Sequence, residues 1–135
     1  MSVKLRKSGI NTLGDITWGT HMCLLYESKE ELLEVLVQWF CEGLRSGELC
    51  VWVTSGQLSA QEAADALARE VPDLASHIRK GSLKIMPFNG QYIENGSFCA
   101  QKALDGWASL LEEASRSGYE GLRLTGDTSW VGESD

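Results

Sequence analysis

The chain has 135 residues, of which 43% are hydrophobic and 23% charged, and its formal net charge is −7. These values are typical of one soluble globular domain with a core of its own. The negative charge argues against nucleic-acid binding, because affinity for phosphates depends on Lys and Arg. The sequence contains no apolar run of about 20 residues and no apolar segment of a signal peptide at its N-terminus. It therefore predicts a cytoplasmic domain with no membrane partner.

The first seventeen residues show little periodicity, and we interpret 1–17 as an N-terminal leader that contains a turn. The turn-forming residues are Gly9, Asn11, Gly14 and Asp15. Lys4, Arg6 and Lys7 form a small basic cluster in this leader, which we expect to be solvated.

An apolar run over Met22–Tyr26 fits a buried strand, and Ser28 followed by Glu31 is a capping-box pattern at a helix start. Such a strand-turn-helix connection presents backbone N–H groups to a ligand in α/β proteins. A nucleotide hydrolase would read G-x-x-x-x-G-K-[ST] here. The turn over 26–31 instead has no glycine and three carboxylates. It therefore predicts sensing or binding rather than triphosphate chemistry.

The rest of the chain alternates between helical and strand patterns. The first helix ends at Ser46-Gly47, and Leu49–Val53 is a continuous apolar run, as in a strand covered on both faces. Next come a predicted helix from Ser59 to about Glu70, a short helix from Pro72 to about Lys80 and a strand over 83–88. An irregular loop over 89–97, a helix from Phe98 to about Ser117 and a strand over 122–125 follow. The predicted inward residues of this last helix are Phe98, Leu104, Trp107, Leu110, Leu111 and Ala114.

This alternation predicts an α/β fold, a mainly parallel sheet of about four strands with helices on both faces. The chain stops soon after the fourth strand, where a doubly covered sheet should continue. We therefore expect a segment of a longer protein.

Four cysteines, with no C-x-x-C pair, are predicted to be small buried hydrophobic residues in a reducing compartment. They are Cys23, Cys41, Cys50 and Cys99. A redox-sensing pair is the alternative.

Three segments resemble one family: Trp18–Ser28, Glu42–Ser55 and Gly118–Trp130. It is the MEDS domain, the methanogen/methylotroph sensory domain of the DcmR type, and the resemblance runs from about Gly9 to the C-terminus. We accordingly assign residues 18–135 to a MEDS-like sensory domain.

The resemblance implies a sensory input module beside a histidine-kinase, other signalling or DNA-binding output region. It also implies recognition of small hydrocarbon-derived or C1-related compounds, and a degenerate RecA/KaiC-like core of αβα layers. The chain departs from the family pattern at Gln91-Tyr92, where a Trp-Tyr pair is expected, and at Cys99, where an acidic residue is expected.

Ligands of open parallel sheets bind outside the carboxyl ends of the strands. The candidate ligand-binding residues at these ends are Tyr26, Glu27, Ser28, Thr54, Ser55, Asn89, Tyr92, Asp127 and Trp130. Aromatic walls with a few hydroxyl and amide groups suit a small, mostly apolar ligand.

Structural roles compete with these assignments. Tyr26 and Tyr92 also fit half-buried packing residues, Ser28 a helix cap, and Asp127 a residue that stabilises a turn. Trp130 fits a pocket wall, a partner contact or a tail residue.

We predict no catalytic residues, no metal site and no cofactor. The chain lacks a G-x-S-x-G motif, and the cysteines lie in apolar contexts that disfavour a thiolate. His21 and Cys23 occupy alternate positions of the predicted first strand and so share a face for packing reasons. We expect His21 to be structural and to lie at the edge of the sheet opposite the strand exits.

The sequence thus predicts a small-molecule-sensing input domain of a signal-transduction protein, either a histidine kinase or a transcriptional regulator. One alternative is a protein-interaction module that dimerises without a small-molecule ligand. Another is a residual nucleotide-binding enzyme.

Overall fold

The computed structural model describes residues 4–54, 57–87 and 93–126. Its helices are α1 (Lys29–Arg45), α2 (Ala60–Ala68), α3 (Leu74–Lys80) and α4 (Ala100–Arg116). Its strands are β1 (Leu5–Lys7), β2 (Asp15–Thr17), β3 (Leu49–Thr54), β4 (Leu83–Pro87), β5 (Ile93–Glu94), β6 (Ser97–Phe98) and β7 (Leu122–Thr125).

A three-stranded parallel sheet in the order β4-β3-β7 forms the centre of the fold. Cys50 of β3 lies beside Leu83 of β4 and Arg123 of β7. All six residues of β3 are buried. The continuous apolar run over 49–53 was predicted to give a strand covered on both faces, and the structure confirms this.

Helices cover both faces of the sheet. On one face, α1, α2 and α3 pack on Cys50, Trp52 and Leu83. The Trp52 ring stacks on Phe40 of α1 with centroids 5.1 Å apart. On the other face, α4 packs against Leu49, Val51 and Val53. Each large apolar side chain buried in this way contributes about 1.5–3 kcal/mol to folding.

Both predicted serine caps are present. The Ser59 hydroxyl accepts a hydrogen bond from the Glu62 N–H, and the Glu62 carboxylate accepts one from the Ser59 N–H, which completes a capping box. Ser28 accepts from the Glu31 N–H in the same way. The Glu31 carboxylate, however, reaches one residue further back, to the Glu27 N–H at 2.8 Å.

The predicted first strand over 22–26 is absent, so the sheet has three described strands rather than four. Leu24 is 39% exposed and Leu25 is 91% exposed. An apolar run becomes a strand only when its backbone finds a hydrogen-bonding partner. Within the described chain, no backbone hydrogen bond joins residues 21–25 to the sheet.

The predicted inward face of the last helix is partly wrong. Leu110 and Ala114 are buried, but the sequence pattern did not identify Ala103, which completes the buried ridge. Leu104 is 54% and Leu111 58% exposed, because the narrow sheet covers only one ridge of α4. Trp107 and Phe98 are also exposed, at 38% and 57%.

Two antiparallel hairpins occupy stretches predicted to be irregular. β5 pairs with β6 through Asn95 and Gly96, whose φ angles are 54° and 80°. An Asn-Gly pair is a strong indicator of such a turn, so the expectation of an irregular loop is wrong over 93–97. Phe98, predicted to begin the last helix, is the last residue of β6. In the leader, β1 pairs with β2 around the predicted turn.

Candidate functional site

A cavity of about 380 Å³ lies at the carboxyl ends of β3 and β7, on the face covered by α1. Tyr26, Thr54 and Thr125 bring polar groups to its wall. The apolar lining comes from Leu32, Leu36, Trp52, Val53, Leu58, Met22 and Leu24. We call this space the first cavity; its volume and mostly apolar lining are those of small-molecule sites.

Two of the predicted site residues, Tyr26 and Thr54, meet in this cavity. Thr54 is 4% exposed, and its hydroxyl donates a hydrogen bond to the Met86 carbonyl at 3.4 Å. The hydroxyl oxygen of Thr54 thus retains its capacity to accept a hydrogen bond from a ligand. Ser55, Asn89, Tyr92, Asp127 and Trp130 lie outside the described residues.

Glu27 and Ser28 do not line the first cavity. They form the cap of α1 with Glu31, as described above. These bonds direct a carboxylate toward the helix N-terminus, so the place where a phosphate would accept backbone N–H bonds is already occupied by negative charge.

His21 also lines the first cavity, so its predicted place at the opposite edge of the sheet is wrong. Cys23 joins it there and is exposed rather than buried. Both corrections have one cause, since 21–26 does not enter the sheet. We call residues 21–26 the strap.

A second cavity of about 590 Å³ lies on the other side of the strap. The leader hairpin contributes Ile10, Thr12 and Leu13 to it. The opposite walls are Val35, Leu36, Trp39, Leu124 and Thr125, and strap residues 21–24 separate it from the first cavity. The leader therefore forms a wall of the region that holds the candidate site.

Sequence reasoning missed a buried ionic cluster that holds this hairpin in place. Arg123 is fully buried, and its Nε and Nη2 atoms donate to the two carboxylate oxygens of Glu48 at 2.6 and 3.2 Å. Its Nη1 donates to the carbonyls of Ser8 at 2.9 Å and Trp39 at 2.7 Å. An Arg inside a strand expected to be covered on both faces was the available clue, since a buried charge needs partners.

Arg6 of β1 completes the cluster. Its Nη2 also bonds Glu48, and its side chain is only 8% exposed. Burial lowers the pKa of Arg6, and the Glu48 carboxylate opposes this effect. The Arg6 guanidinium carbon lies 4.1 Å from the centre of the Trp18 ring. The same indole packs against Gly121, where an added Cβ atom would come within 2.0 Å of it. The expectation that the basic cluster is solvated is thus wrong for Arg6.

The other cysteines differ in environment. Cys41 and Cys50 are buried as predicted, whereas Cys99 caps α4 by accepting from the Lys102 N–H at 3.4 Å. Burial and then the nearby Glu48 charge raise the pKa of Cys50 to about 12. Burial likewise raises the pKa of Cys41.

Across residues 4–54, 57–87 and 93–126, no group of three or more His, Cys, Asp and Glu side chains could hold a metal ion. Over the same ranges, no helix has the length and apolar character needed to cross a bilayer.

The family model for the methanogen/methylotroph DcmR sensory domain matches residues 20–135. The chain belongs to the MEDS family. This confirms the predicted resemblance, and the MEDS domain assigns the chain to a sensory and regulatory class. The leader hairpin over residues 5–17 lies outside the matched range.

One relative of this MEDS domain is the transcriptional repressor DcmR of Methylorubrum extorquens (strain DSM 6343 / CIP 106787 / DM4). It is 27% identical over 117 residues, which make up 87% of this chain and 41% of the relative. The match thus spans less than half of the relative's length. No solved structure matches the chain significantly.

Proposed function

We propose that this MEDS domain is the ligand-sensing input region of a cytoplasmic regulatory protein, and that residues 18–135 form the sensory unit. Its ligand is a small hydrocarbon- or C1-derived compound that binds in the first cavity. The observation that carries the proposal is the meeting of Tyr26, Thr54 and Thr125 in a mostly apolar cavity of about 380 Å³.

The lining of the first cavity supports a small, mostly apolar ligand. Trp52 and Leu36 offer apolar surface, whereas the polar contribution is limited to a few hydroxyl groups and His21. No charged Lys or Arg lines this cavity in the described chain, so a charged metabolite would lose hydration without gaining an ion pair. A small apolar molecule loses little and gains contacts.

The sequence and geometry of the strand-turn-helix region support a non-enzymatic role. The site lacks the glycine turn of a nucleotide hydrolase, and the α1 N-terminus is capped by Ser28 and Glu31. Ligand binding therefore acts by favouring one conformation of the domain over another, and a connected output region reads the change. By analogy with the relative, we propose a transcriptional regulator as the output; a histidine kinase is the other output that the family resemblance implies.

Thermal unfolding tests this proposal. Benzene, as a hydrocarbon, or chloroform, as a C1 compound, should raise the Tm of the chain by mass action. Tyr26→Ala should abolish the rise. Tyr119→Ala is the matched control, because Tyr119 is half-buried against the α4 face of the sheet and does not line the cavity. Unchanged Tm with both compounds would refute the proposed site, and a rise kept by Tyr26→Ala would exclude Tyr26.

The second candidate is a protein-interaction or dimerisation module. The exposed apolar ridge of α4, formed by Leu104, Trp107 and Leu111, favours it. Light scattering over a range of concentrations tests this candidate: a mass that doubles, and that Leu111→Glu returns to one chain, would support it. A constant monomer mass would argue against it.

A further inference from the structure

Three polar side chains lie on one face of the sheet in the first cavity, and we propose that they select a small neutral alcohol. This inference rests on the proposed function and narrows its class of ligand. The Trp52 indole N–H donates a hydrogen bond to the alcohol oxygen, and the Thr54 hydroxyl oxygen accepts one from the alcohol proton. The hydrocarbon part of the ligand lies against the apolar lining of the cavity.

The register of the sheet brings these side chains together. Trp52 and Thr54 occupy alternate positions of β3, so their side chains share one face. Thr125 lies beside Trp52 on the neighbouring strand β7, and all three residues line the first cavity. Residues two apart in a strand are separated by about 6.6 Å, which is close to two hydrogen-bond lengths. This spacing allows one hydroxyl group to contact both Trp52 and Thr54.

The donor is the indole N–H of Trp52. This residue is 1% exposed, and its ring stacks on Phe40. Within the described chain, its N–H has no hydrogen-bond partner. The Trp18 indole nitrogen also lacks a partner there but is fully enclosed by protein, whereas the Trp52 nitrogen keeps some accessible surface. Because an unpaired buried donor is unfavourable, the partner of the Trp52 N–H must come from the cavity.

The acceptor is the hydroxyl oxygen of Thr54. Thr54 is 4% exposed, and its hydroxyl donates to the Met86 carbonyl, 3.4 Å away. With its proton directed to Met86, the Thr54 oxygen can only accept from a ligand. A ligand group that meets Thr54 must therefore carry a donor. The neighbouring Thr125 hydroxyl can donate or accept, so it is compatible with either orientation of the ligand.

The charge of the lining restricts the ligand to a neutral compound. Among the described residues, no Lys, Arg, Asp or Glu lines the first cavity. An ammonium or carboxylate group would therefore lose hydration without gaining an ion pair.

An alcohol is the simplest neutral group that both accepts and donates a hydrogen bond. A carbonyl compound satisfies Trp52 but not Thr54, and a hydrocarbon satisfies neither. A ligand hydroxyl also reproduces the hydrogen bonds that a water molecule would make at this place, whereas a hydrocarbon displaces that water without replacing its bonds.

Nuclear magnetic resonance of the full ¹⁵N-labelled chain tests the proposal. The probes are cyclopentanol, cyclopentanone and cyclopentane, which share one ring and differ in the group that meets Trp52 and Thr54. Cyclopentanol and cyclopentanone should move the Trp52 indole proton signal downfield, and cyclopentane should not, because only an oxygen accepts from that N–H. The signal is identified by its loss in Trp52→Phe. The Trp107 indole signal is the internal control, since Trp107 does not line the cavity.

Two substitutions at Thr54 separate the alcohol from the other probes. Thr54→Val keeps the shape of the side chain but removes the acceptor, so it should weaken cyclopentanol binding about fivefold. The same variant should not weaken the binding of cyclopentanone or cyclopentane. Thr54→Ser keeps the hydroxyl and should keep the affinity for cyclopentanol. Tyr119→Ala, which lies outside the cavity, should bind all three probes like the unchanged chain.

The outcomes separate this inference from the proposed function. If cyclopentane binds and Tyr26→Ala abolishes its binding, the proposed site stands. This inference alone then fails if cyclopentanol leaves the Trp52 signal in place, or if Thr54→Val leaves the affinity for cyclopentanol unchanged. Equal weakening of all three probes by Thr54→Val would also overturn it, because the cause would be the shape of the cavity. If none of the probes binds, the ligand site itself is wrong and this inference fails with it.

Discussion

The two ends of β7 differ in how completely their polar and apolar groups are matched. At its beginning, the Arg123 donors all meet carboxylate or carbonyl oxygens, and Arg6 adds a second bond to Glu48 while its own Nε is buried without a hydrogen-bond partner among the described residues. At its end, Thr125 borders two cavities and an exposed apolar strap. In the proposed function, the beginning of β7 holds the fold in place and its end binds the ligand.

The largest loss of stability should come from breaking the buried ionic cluster at the beginning of β7. Arg123→Met leaves the Glu48 charge with Arg6 as its remaining partner in the cluster, and it removes the donors to the Ser8 and Trp39 carbonyls. Removing one partner of a buried ion pair costs about 3–5 kcal/mol, so urea unfolding should show a loss of that size. The triple variant Arg6→Met, Glu48→Leu and Arg123→Met should recover much of the loss, because it leaves no unpaired buried charge. A single-variant loss below about 1 kcal/mol would contradict the importance of this cluster.

A smaller loss of stability is expected at the cap of α1, near the cavities that border the end of β7. Ser28→Ala removes the acceptor for the Glu31 N–H and should cost about 1 kcal/mol of unfolding free energy. Ser59→Ala, which removes the equivalent cap of α2, should cost a similar amount. Both variants should keep the benzene-induced rise in Tm, because Ser28 does not line the cavity. Loss of that rise in Ser28→Ala alone would show that Ser28 acts in ligand binding.

The smallest change to the protein is needed for thiol labelling, which compares the two ends of β7 directly through the reaction rates of their cysteines. At pH 8, the exposed Cys23 of the strap should react quickly with a thiol reagent, whereas Cys50 beside the cluster should react only on unfolding. Because the pKa of Cys50 is raised to about 12, a change from pH 8 to 10 should leave its thiol protonated and unreactive. In a Cys99→Ser background, which removes the partly exposed thiol at the start of α4, the variant Cys23→Ser should lose the fast phase. Fast labelling that survives in this double variant would contradict the exposed position of the strap.

The raised pKa of Cys50 also has a consequence for stability. The thiol is protonated in the folded and unfolded states below the ordinary pKa of 9.0, so it imposes no penalty there. Above that pH the unfolded thiol ionises first, and folding stability falls as the pH rises toward 12. Labelling at pH 8 is therefore free of this loss of stability, whereas labelling at pH 10 is not.

Local sequence patterns were enough for most of the secondary structure. The serine caps at 28 and 59, the Ser46-Gly47 helix end and the apolar run over 49–53 act within a few residues of the chain. The structure therefore has α1, α2, α3, β3, β4 and β7 close to where the pattern predicted them. The family resemblance identified the sensory class for the same reason, because its motifs are contiguous.

Long-range partners were not readable in this way. Glu48 and Arg123 are 75 residues apart in the chain, and no periodicity links them. In the strap, the sequence predicted an element that the structure lacks. Its apolar run predicts a strand, but a strand exists only when another strand accepts its hydrogen bonds. Ala103 and the exposed ridge of α4 were misassigned because the width of the sheet decides which helix face is covered.

The sequence by itself determined the helices, the two serine caps, the central buried strand and the family, since each depends on neighbouring residues. Only the tertiary structure decided that the leader is anchored through Arg6, that Tyr26 and Thr54 share a cavity, and that 21–26 lies outside the sheet. Burial, charge pairing and strand pairing depend on residues distant in the chain, and their positions are fixed only when the whole domain packs.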